Sequence, residues 1–406
     1  MNTEYHGAVE SWVGVAMPLK LLIENFKSVE RLELVLNDLT VLIGPPASGK
    51  SNILDAIAVV GYFHRFKVLD REYGNNASNL EPLTVVGRFA DIPQLARYGD
   101  ISRPVRICVS GDVNIDLSIS YVSGAPRISI NEKQAPWDLK TLRADSMSEV
   151  QSFVKTLPSL ESRLYGFDRY GLGTQACASQ SHLCGLQYRL SQQQLAKPYP
   201  MSILSDFGWN APHIVRMHRD VVNEVDDAIE RHIGAKIEVV ARRTGEVLIL
   251  DYRYEVESQS VSESIYRTLY SLLALKSSIN YAKLYGLEKK LIVMLEEPEA
   301  HVFPYFLELL VEYIARAVNV VNIVITTHNP FFVSRLCDKV KNVKVYYVHR
   351  GVSGATNVKE LDFKRLSEEV LTIEDVLLMK PSDVLEKYVV EAGGGEASEE
   401  RSSGAS

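Results

Sequence analysis

The sequence predicts an α/β fold around a mixed, mainly parallel core sheet. Three observations predict it. The apolar run Leu39–Ile43 leads directly into Gly44-Pro45-Pro46-Ala47-Ser48-Gly49-Lys50-Ser51 and then into residues with helical spacing, which is a strand, loop and helix in series. Leu291-Ile292-Val293-Met294-Leu295 is a continuous apolar run, as expected of a strand buried on both faces of a sheet, and residues 320–327 read as a second buried strand. Residues 304–318 have helical spacing and join those two runs, which makes a parallel crossover.

Composition sets the limits of what the chain can do. Its 406 residues are 46% hydrophobic and 23% charged, enough apolar material for one large domain or two to three smaller ones. The formal net charge of -7 provides no global positive field, so DNA would have to bind through a local patch or an assembled dimer. Cys108, Cys177, Cys184 and Cys337 are few for so long a chain, which suits a reducing compartment. Cys177, Cys184 and His182 lack the spacing of a metal knuckle and read as loop residues. Residues 1–18 carry Glu4 and Glu10 and no basic start, unlike a signal peptide, and no apolar run approaches the roughly 20 residues that span a bilayer. A cytoplasmic protein with no membrane segment is expected.

Taken in order, residues 19–35 read as an irregular strand, a turn at Asn25-Phe26-Lys27-Ser28 and the approach to a second strand at 32–36. Asn37-Asp38 turns the chain into the Leu39–Ile43 strand. Beyond Ser51, residues Ile53, Leu54, Ile57, Val60 and Gly61 keep helical spacing to about Phe66, and His64, Arg65 and Lys67 suit the negative end of that helix dipole. Residues 73–79 form a polar loop. Short alternating runs at 105–109, 113–120 and 127–130 predict an antiparallel meander with one wet face. Residues 135–200 show little pattern beyond a helix at 147–157. Helical spacing returns at 211–232, strands follow at 236–241 and 246–252, and residues 262–285 carry a broad apolar helical face. Residues 343–349 add a strand, and the small, polar stretch 393–406 is expected to be disordered.

The chemistry starts at the glycine-rich loop. Such a loop points backbone N–H groups and a helix N-terminus at phosphates, with Lys50 reaching the β- and γ-phosphates and the Ser51 hydroxyl turned to Mg²⁺. A nucleoside triphosphate and Mg²⁺ are the implied ligands. The strand at 291–295 runs into Glu296-Glu297-Pro298-Glu299. Glu296 suits the metal shell and Glu297 suits the orientation or deprotonation of an attacking water, while Glu299 reads as structural. The next strand ends in Thr326-Thr327-His328-Asn329-Pro330, placing His328 at the crevice edge, in reach of a γ-phosphate or that water. The acid pair follows Lys50 so late that a large insertion must lie between them.

Four blocks, Leu21-Leu22-Ile23-Glu24-Asn25-Phe26-Lys27-Ser28, Gly44 to Ser51, Leu295-Glu296-Glu297-Pro298-Glu299-Ala300-His301-Val302-Phe303-Pro304 and Thr326 to Pro330, resemble in order the motifs of ABC-type ATPase heads of the RecF, SMC and OLD families. The nearest likeness is to stand-alone OLD-like AAA family ATPases. It runs from about Leu19 to His349 and is weak between Tyr73 and Pro200. The resemblance implies a P-loop NTPase fold of ABC-ATPase type, with a mixed or parallel core sheet, an antiparallel β subdomain and a helical insertion. It also implies ATP and Mg²⁺ as cofactors, with Gly44, Pro45, Pro46, Ala47, Ser48, Gly49, Lys50, Ser51 and Asn52 around the nucleotide. Lys27 matches the position near base and ribose. Ser262-Glu263-Ser264-Ile265-Tyr266-Arg267 is similar to the family's signature, which implies that Ser262 contacts the γ-phosphate of a second copy in an ATP-sandwiched homodimer. Gln94 is a candidate for the Mg²⁺-sensing glutamine. A role in DNA repair or in defence against foreign DNA follows from the same likeness.

Several positions depart from the family pattern. Pro46 and Ala47 replace Asn-Gly, Ser264 replaces Gly and Phe303 replaces His. Pro46 removes one backbone donor and Ser264 adds a Cβ where close approach is needed, so slow but competent turnover is expected. No long heptad segment is present, which argues against a long-armed SMC protein. Residues 341–406 show no acid-rich nuclease pattern, so a nuclease or effector is expected to be a partner protein. The implied division is an extension at 1–18, head segments at 19–72 and 236–350 around an inserted region at 73–235, a helical region at 351–392 and the tail. A second reading is an ATP-gated interaction or regulatory module with little turnover.

Overall fold

The computed structural model describes residues 18–65, 67–68, 88, 92–122, 125–138, 143–144, 147–166, 202–206, 208, 210–241, 247–256 and 262–390. Cys177, His182, Cys184, the loop at 73–79 and the stretch at 393–406 lie outside them.

Alternating sequence patterns build the first sheet. Strands β1 (Leu19–Phe26) and β2 (Val29–Leu36) form a hairpin, joined on the β1 side by β4 (Val105–Ser110), β5 (Ile115–Val122), β6 (Ala125–Ile130) and the short β7 (Lys133–Gln134). All pairings are antiparallel, in the order β2-β1-β4-β5-β6-β7, with Ile23 opposite both Leu32 and Ile107. The meander therefore continues the sheet that the first hairpin starts.

Largely apolar runs form the centre of the second. Strand β3 (Leu39–Ile43) lies inside a six-stranded sheet with β8 (Glu161–Gly166), β12 (Leu291–Glu296), β13 (Asn322–Thr326), β14 (Val343–Arg350) and β15 (Thr356–Glu360), ordered β8-β12-β13-β3-β14-β15. Every neighbour is parallel except the terminal β14–β15 hairpin. Helix α1 (Lys50–Tyr62) lies between the two sheets, packing Ile53, Leu54 and Ile57 among Leu21, Ile23, Ile107 and Met294. The other face of the core sheet, including Val41, Val293, Leu295 and Ile325, is covered by α5 (Glu263–Tyr285), α6 (Pro304–Ala317) and α7 (Pro330–Lys339). Each fully buried Leu, Ile or Val contributes about 1.5–3 kcal/mol, so β3, β12 and β13 form a rigid floor. A small sheet of β9 (Ile237–Ala241), β10 (Val247–Asp251) and β11 (Tyr254–Val256) stands beside it. No helix of the described residues is long and apolar enough to cross a membrane.

The structure corrects three readings. The expected helix at 211–232 is two, α3 (Ala211–Met217) and α4 (Arg219–Ile233), broken at His218 where ψ swings to 55°. Strand β8 follows α2 (Met147–Lys155) and falls in the stretch without legible pattern because Glu161 and Arg163 interrupt it, yet both side chains are fully buried. His64 and Arg65 do not serve the helix dipole in solvent; they turn inward to meet these charges. His64 Nδ1 lies 3.3 Å from Glu161 Oε2, and Arg65 Nη1 donates to Asp206 Oδ2 at 2.6 Å. Arg163 pairs with Glu161, and Tyr281 Oη donates to Glu161 Oε2 at 2.8 Å. Buried charges persist only when paired and hydrogen-bonded, and here the partners come from the segment after α1, from β8, from α5 and from Asp206.

Candidate functional site

Three parallel strands end on one edge of the core sheet. The register sets Glu296 beside Thr326 and Thr326 beside Leu42, so Glu296-Glu297, Thr327-His328 and Gly44 leave the sheet as neighbours. The glycine-rich loop is then pressed against β14 and β15. A Cβ at Gly44, where φ is 138°, would sit 2.1 Å from Val348 O, and one at Gly49, where φ is 107°, would sit 2.0 Å from Thr356 Oγ1. Only glycine fits such contacts. Thr356 Oγ1 donates to Ser48 O at 3.0 Å and lies 2.7 Å from Ser28 Oγ, which accepts from Asn52 Nδ2 at 2.5 Å. The Asn52 amide thus faces Ser28 and supports the loop. Pro46 and Ala47 form its exposed tip.

Lys50 opens α1 and is 6% exposed. Its Nζ donates to Gly44 O and Pro45 O, each at 2.9 Å, so the ammonium lies across the mouth of the loop. Burial pushes its pKa down to about 8 against the opposing pull of Glu297 and Glu296.

Glu297 has a left-handed backbone, φ 44°, fixed by its N–H to Thr326 O at 2.9 Å. A non-glycine residue held there costs about 1–3 kcal/mol and needs support from its surroundings. Its Oε1 lies 3.3 Å from His328 Nε2, and this hydrogen bond holds the carboxyl below its usual range. Glu299 fastens the opposite side of the His328 loop: its Oε1 accepts from Thr327 Oγ1 at 2.5 Å and from His328 N at 3.4 Å. Glu299 is 8% exposed, and burial raises its pKa.

A second set of charges lies beside the loop. Lys27, at the β1–β2 turn, places Nζ 2.6 Å from Asp55 Oδ2 on α1. Arg88 donates through Nε to Asp55 Oδ1 at 2.6 Å, through Nη1 to Glu296 Oε2 and through Nη2 to Ser51 O at 3.2 Å. Burial lowers the Lys27 pKa and raises that of Asp55, in each case against the attraction of its partners. Lys27, expected near base and ribose, has its ammonium on Asp55 and on Arg88 O at 3.2 Å. Sequence reasoning missed Asp55 and Arg88. Asp55 had a signal, a lone acid on the apolar face of a helix; Arg88 had none.

Ser262 is exposed as the N-cap of α5 and makes no side-chain capping bond. Ser264 instead has a definite partner, since its Oγ accepts from Phe303 N at 2.9 Å and ties the start of α5 to the segment after Glu297. Gln94 is exposed on the single turn Ile92–Leu95.

These residues suit phosphate and a hard cation. The Gly44–Gly49 cradle, which a Cβ would fill, opens on a helix N-terminus beside a lysine. Ser51 and Glu296 offer oxygen ligands, and both already touch one cationic side chain.

No family model matches this sequence, and no curated protein matches it. Among solved structures it is similar to an SMC head bound to the C-winged helix domain of ScpA, with 13% identity, 87% of this chain and 100% of that chain covered, and a TM-score of 0.48. The SMC head domain from Thermotoga maritima matches at 14% identity over 86% of this chain and 100% of that chain, TM-score 0.40. A third, the Smc head domain with an extended coiled coil bound to the C-terminal domain of ScpA derived from Pyrococcus furiosus, matches at 12% identity over 89% and 100%, TM-score 0.47. Likeness at this level decides nothing about function, which rests on the site's own geometry.

Proposed function

We propose that the chain is a Mg²⁺-dependent ATP-binding and hydrolysing switch protein that works as an ATP-sandwiched homodimer, in DNA repair or in defence against foreign DNA. The observation that carries this reading is the convergence of Glu297, His328 and the loop leading to Lys50 beyond the ends of three neighbouring parallel strands. The loop N–H groups and Lys50 hold phosphate, and Ser51 and Glu296 ligate the metal. Bound Mg²⁺ would neutralise charge on the phosphates. Glu297, kept ionised by His328, orients the attacking water and accepts its proton, and His328 faces the γ-phosphate. Ser262, exposed at the start of α5, serves the nucleotide of a second copy. ATP turnover by the purified chain, with and without duplex DNA, tests the proposal: absence of both ATP binding and turnover refutes it, and stimulation by DNA supports the DNA role.

An ATP-gated interaction module with little turnover is the second reading. Phe303, 59% exposed directly after the acid loop, favours it, because a large apolar side chain there offers a partner protein a contact. Tight ATP binding with negligible hydrolysis would select this reading.

A further inference from the structure

Arg88 touches both residues assigned to the metal. Its Nη1 donates to Glu296 Oε2, its Nη2 lies 3.2 Å from Ser51 O, and its Nε holds Asp55 Oδ1 at 2.6 Å. A guanidinium presents its donors as a rigid planar fork, and this fork joins the first turn of α1 to the end of β12. The two carboxylates are not equally served. Asp55 is 3% exposed and takes both Lys27 and Arg88, whereas the ion pairs of the described residues give Glu296 Arg88 alone. Gly166, its register partner on β8, stands beside the same oxygen, and a Cβ there would come within 3.1 Å of Glu296 Oε2. Glu296 thus points Oε2 at Arg88, in the space that the absent side chain of Gly166 leaves.

We propose that Arg88 is the resident counter-cation of Glu296 and is displaced from it by the divalent cation that accompanies the nucleotide, while Lys27 and the Arg88 Nε keep hold of Asp55. This inference rests on the reading of the site given under Proposed function. A divalent cation and a guanidinium on one carboxylate repel each other, so a metal held by Glu296 would weaken its bond to Arg88. The metal therefore binds at the cost of a charge-assisted hydrogen bond. Ser51 and Glu296 stay bridged until metal and phosphate arrive together, so Arg88 sets the Mg²⁺ concentration at which nucleotide binding becomes metal-dependent.

The test titrates MgCl₂ into the full chain with a fluorescent ATP analogue and reads the half-saturating Mg²⁺ concentration, with no need for turnover. R88Q is expected to lower that midpoint by about tenfold, the smaller end of what a charge-assisted hydrogen bond contributes. R88K keeps the charge but loses the fork, and is expected to lower it also. If R88K stays at the wild-type midpoint while R88Q falls, the effect belongs to net charge and the displacement is refuted. In an E296Q background R88Q is expected to change nothing further, and a second tenfold fall there refutes the proposal equally. R88K also guards against failure of R88Q to fold. A wild-type chain that binds the analogue, with the R88Q and R88K midpoints unchanged, overturns this inference alone. A wild-type chain that binds no nucleotide overturns the site reading with it.

Discussion

Glu297 Oε1 lies 3.3 Å from His328 Nε2, although the two residues leave different strands of the core sheet. The contact exists because β12 and β13 run parallel and in register, and because Glu297 turns back in a left-handed conformation. A general base needs to be ionised and aimed, and this pair supplies both conditions. Glu297→Gln keeps the shape and removes the base. We expect turnover to fall by about 10²–10⁴-fold and an ATP-bound dimer to accumulate, read by phosphate release and size-exclusion chromatography. Hydrolysis at the wild-type rate would refute the assignment of Glu297.

His328 acts on the pH profile as well as on the rate. Its hydrogen bond holds the Glu297 pKa below the ordinary carboxylate value, so Glu297 remains ionised to lower pH than a free side chain would. In His328→Ala the pKa rises, and the acid-side fall in kcat should begin at higher pH. An unmoved acid limb would count against the pairing.

Lys50 sets the alkaline side. Its pKa in the folded chain is about 8, below the ordinary 10.5, so the ammonium is lost as pH rises through about 8. Phosphate binding needs the cation. ATP affinity should therefore fall above pH 8, by at most about tenfold per pH unit for a single proton. The stability effect has the opposite sign: the unfolded chain holds this proton more firmly, so this group alone adds stability as pH rises from 8 toward 10.5. Affinity that stays flat between pH 8 and 10 would exclude Lys50 as the titrating group.

The two loop glycines should differ in cost. Gly44→Ala drives a Cβ into the backbone carbonyl of Val348, while Gly49→Ala meets the Thr356 side chain, which can shift more readily. Both also place alanine at positive φ. Each should destabilise by about 1–3 kcal/mol, with Gly44→Ala the worse, as measured by urea unfolding. Equal stability of Gly44→Ala and wild type would contradict the packing of the loop on β14.

Glu161 carries the buried charges of β8. Burial disfavours its charged form, but Arg163 and His64 outweigh that and hold its pKa at about 2, below the usual 4.5. A depressed carboxylate contributes stability above its unfolded pKa, so this contribution is lost as pH falls from about 4.5 to about 2. Glu161→Ala leaves Arg163 buried without that partner and should cost about 3–5 kcal/mol, seen as a large fall in Tm. A Tm within a few degrees of wild type would show that the pair contributes little.

Legibility followed pattern length and chemistry. Strands β3, β12 and β13 could be read directly, because burial on both faces demands mainly apolar runs. Strand β8 is equally buried and could not be read, because its charges also take partners, Asp206, His64 and Tyr281, from distant stretches. The single helix expected at 211–232 concealed the break at His218, which no Gly or Pro marks.

The candidate site divides in the same way. Sequence alone picked out the residues suited to phosphate and acid chemistry, since Gly44 to Ser51 and Glu296-Glu297 are local patterns whose spacing has a chemical reason. Only the tertiary structure decided that Glu297 meets His328, that Ser264 ties to Phe303, and that Arg88 bridges Asp55, Ser51 and Glu296. Those contacts join segments far apart in the chain, brought together by sheet register and burial, and no local pattern of residues encodes them.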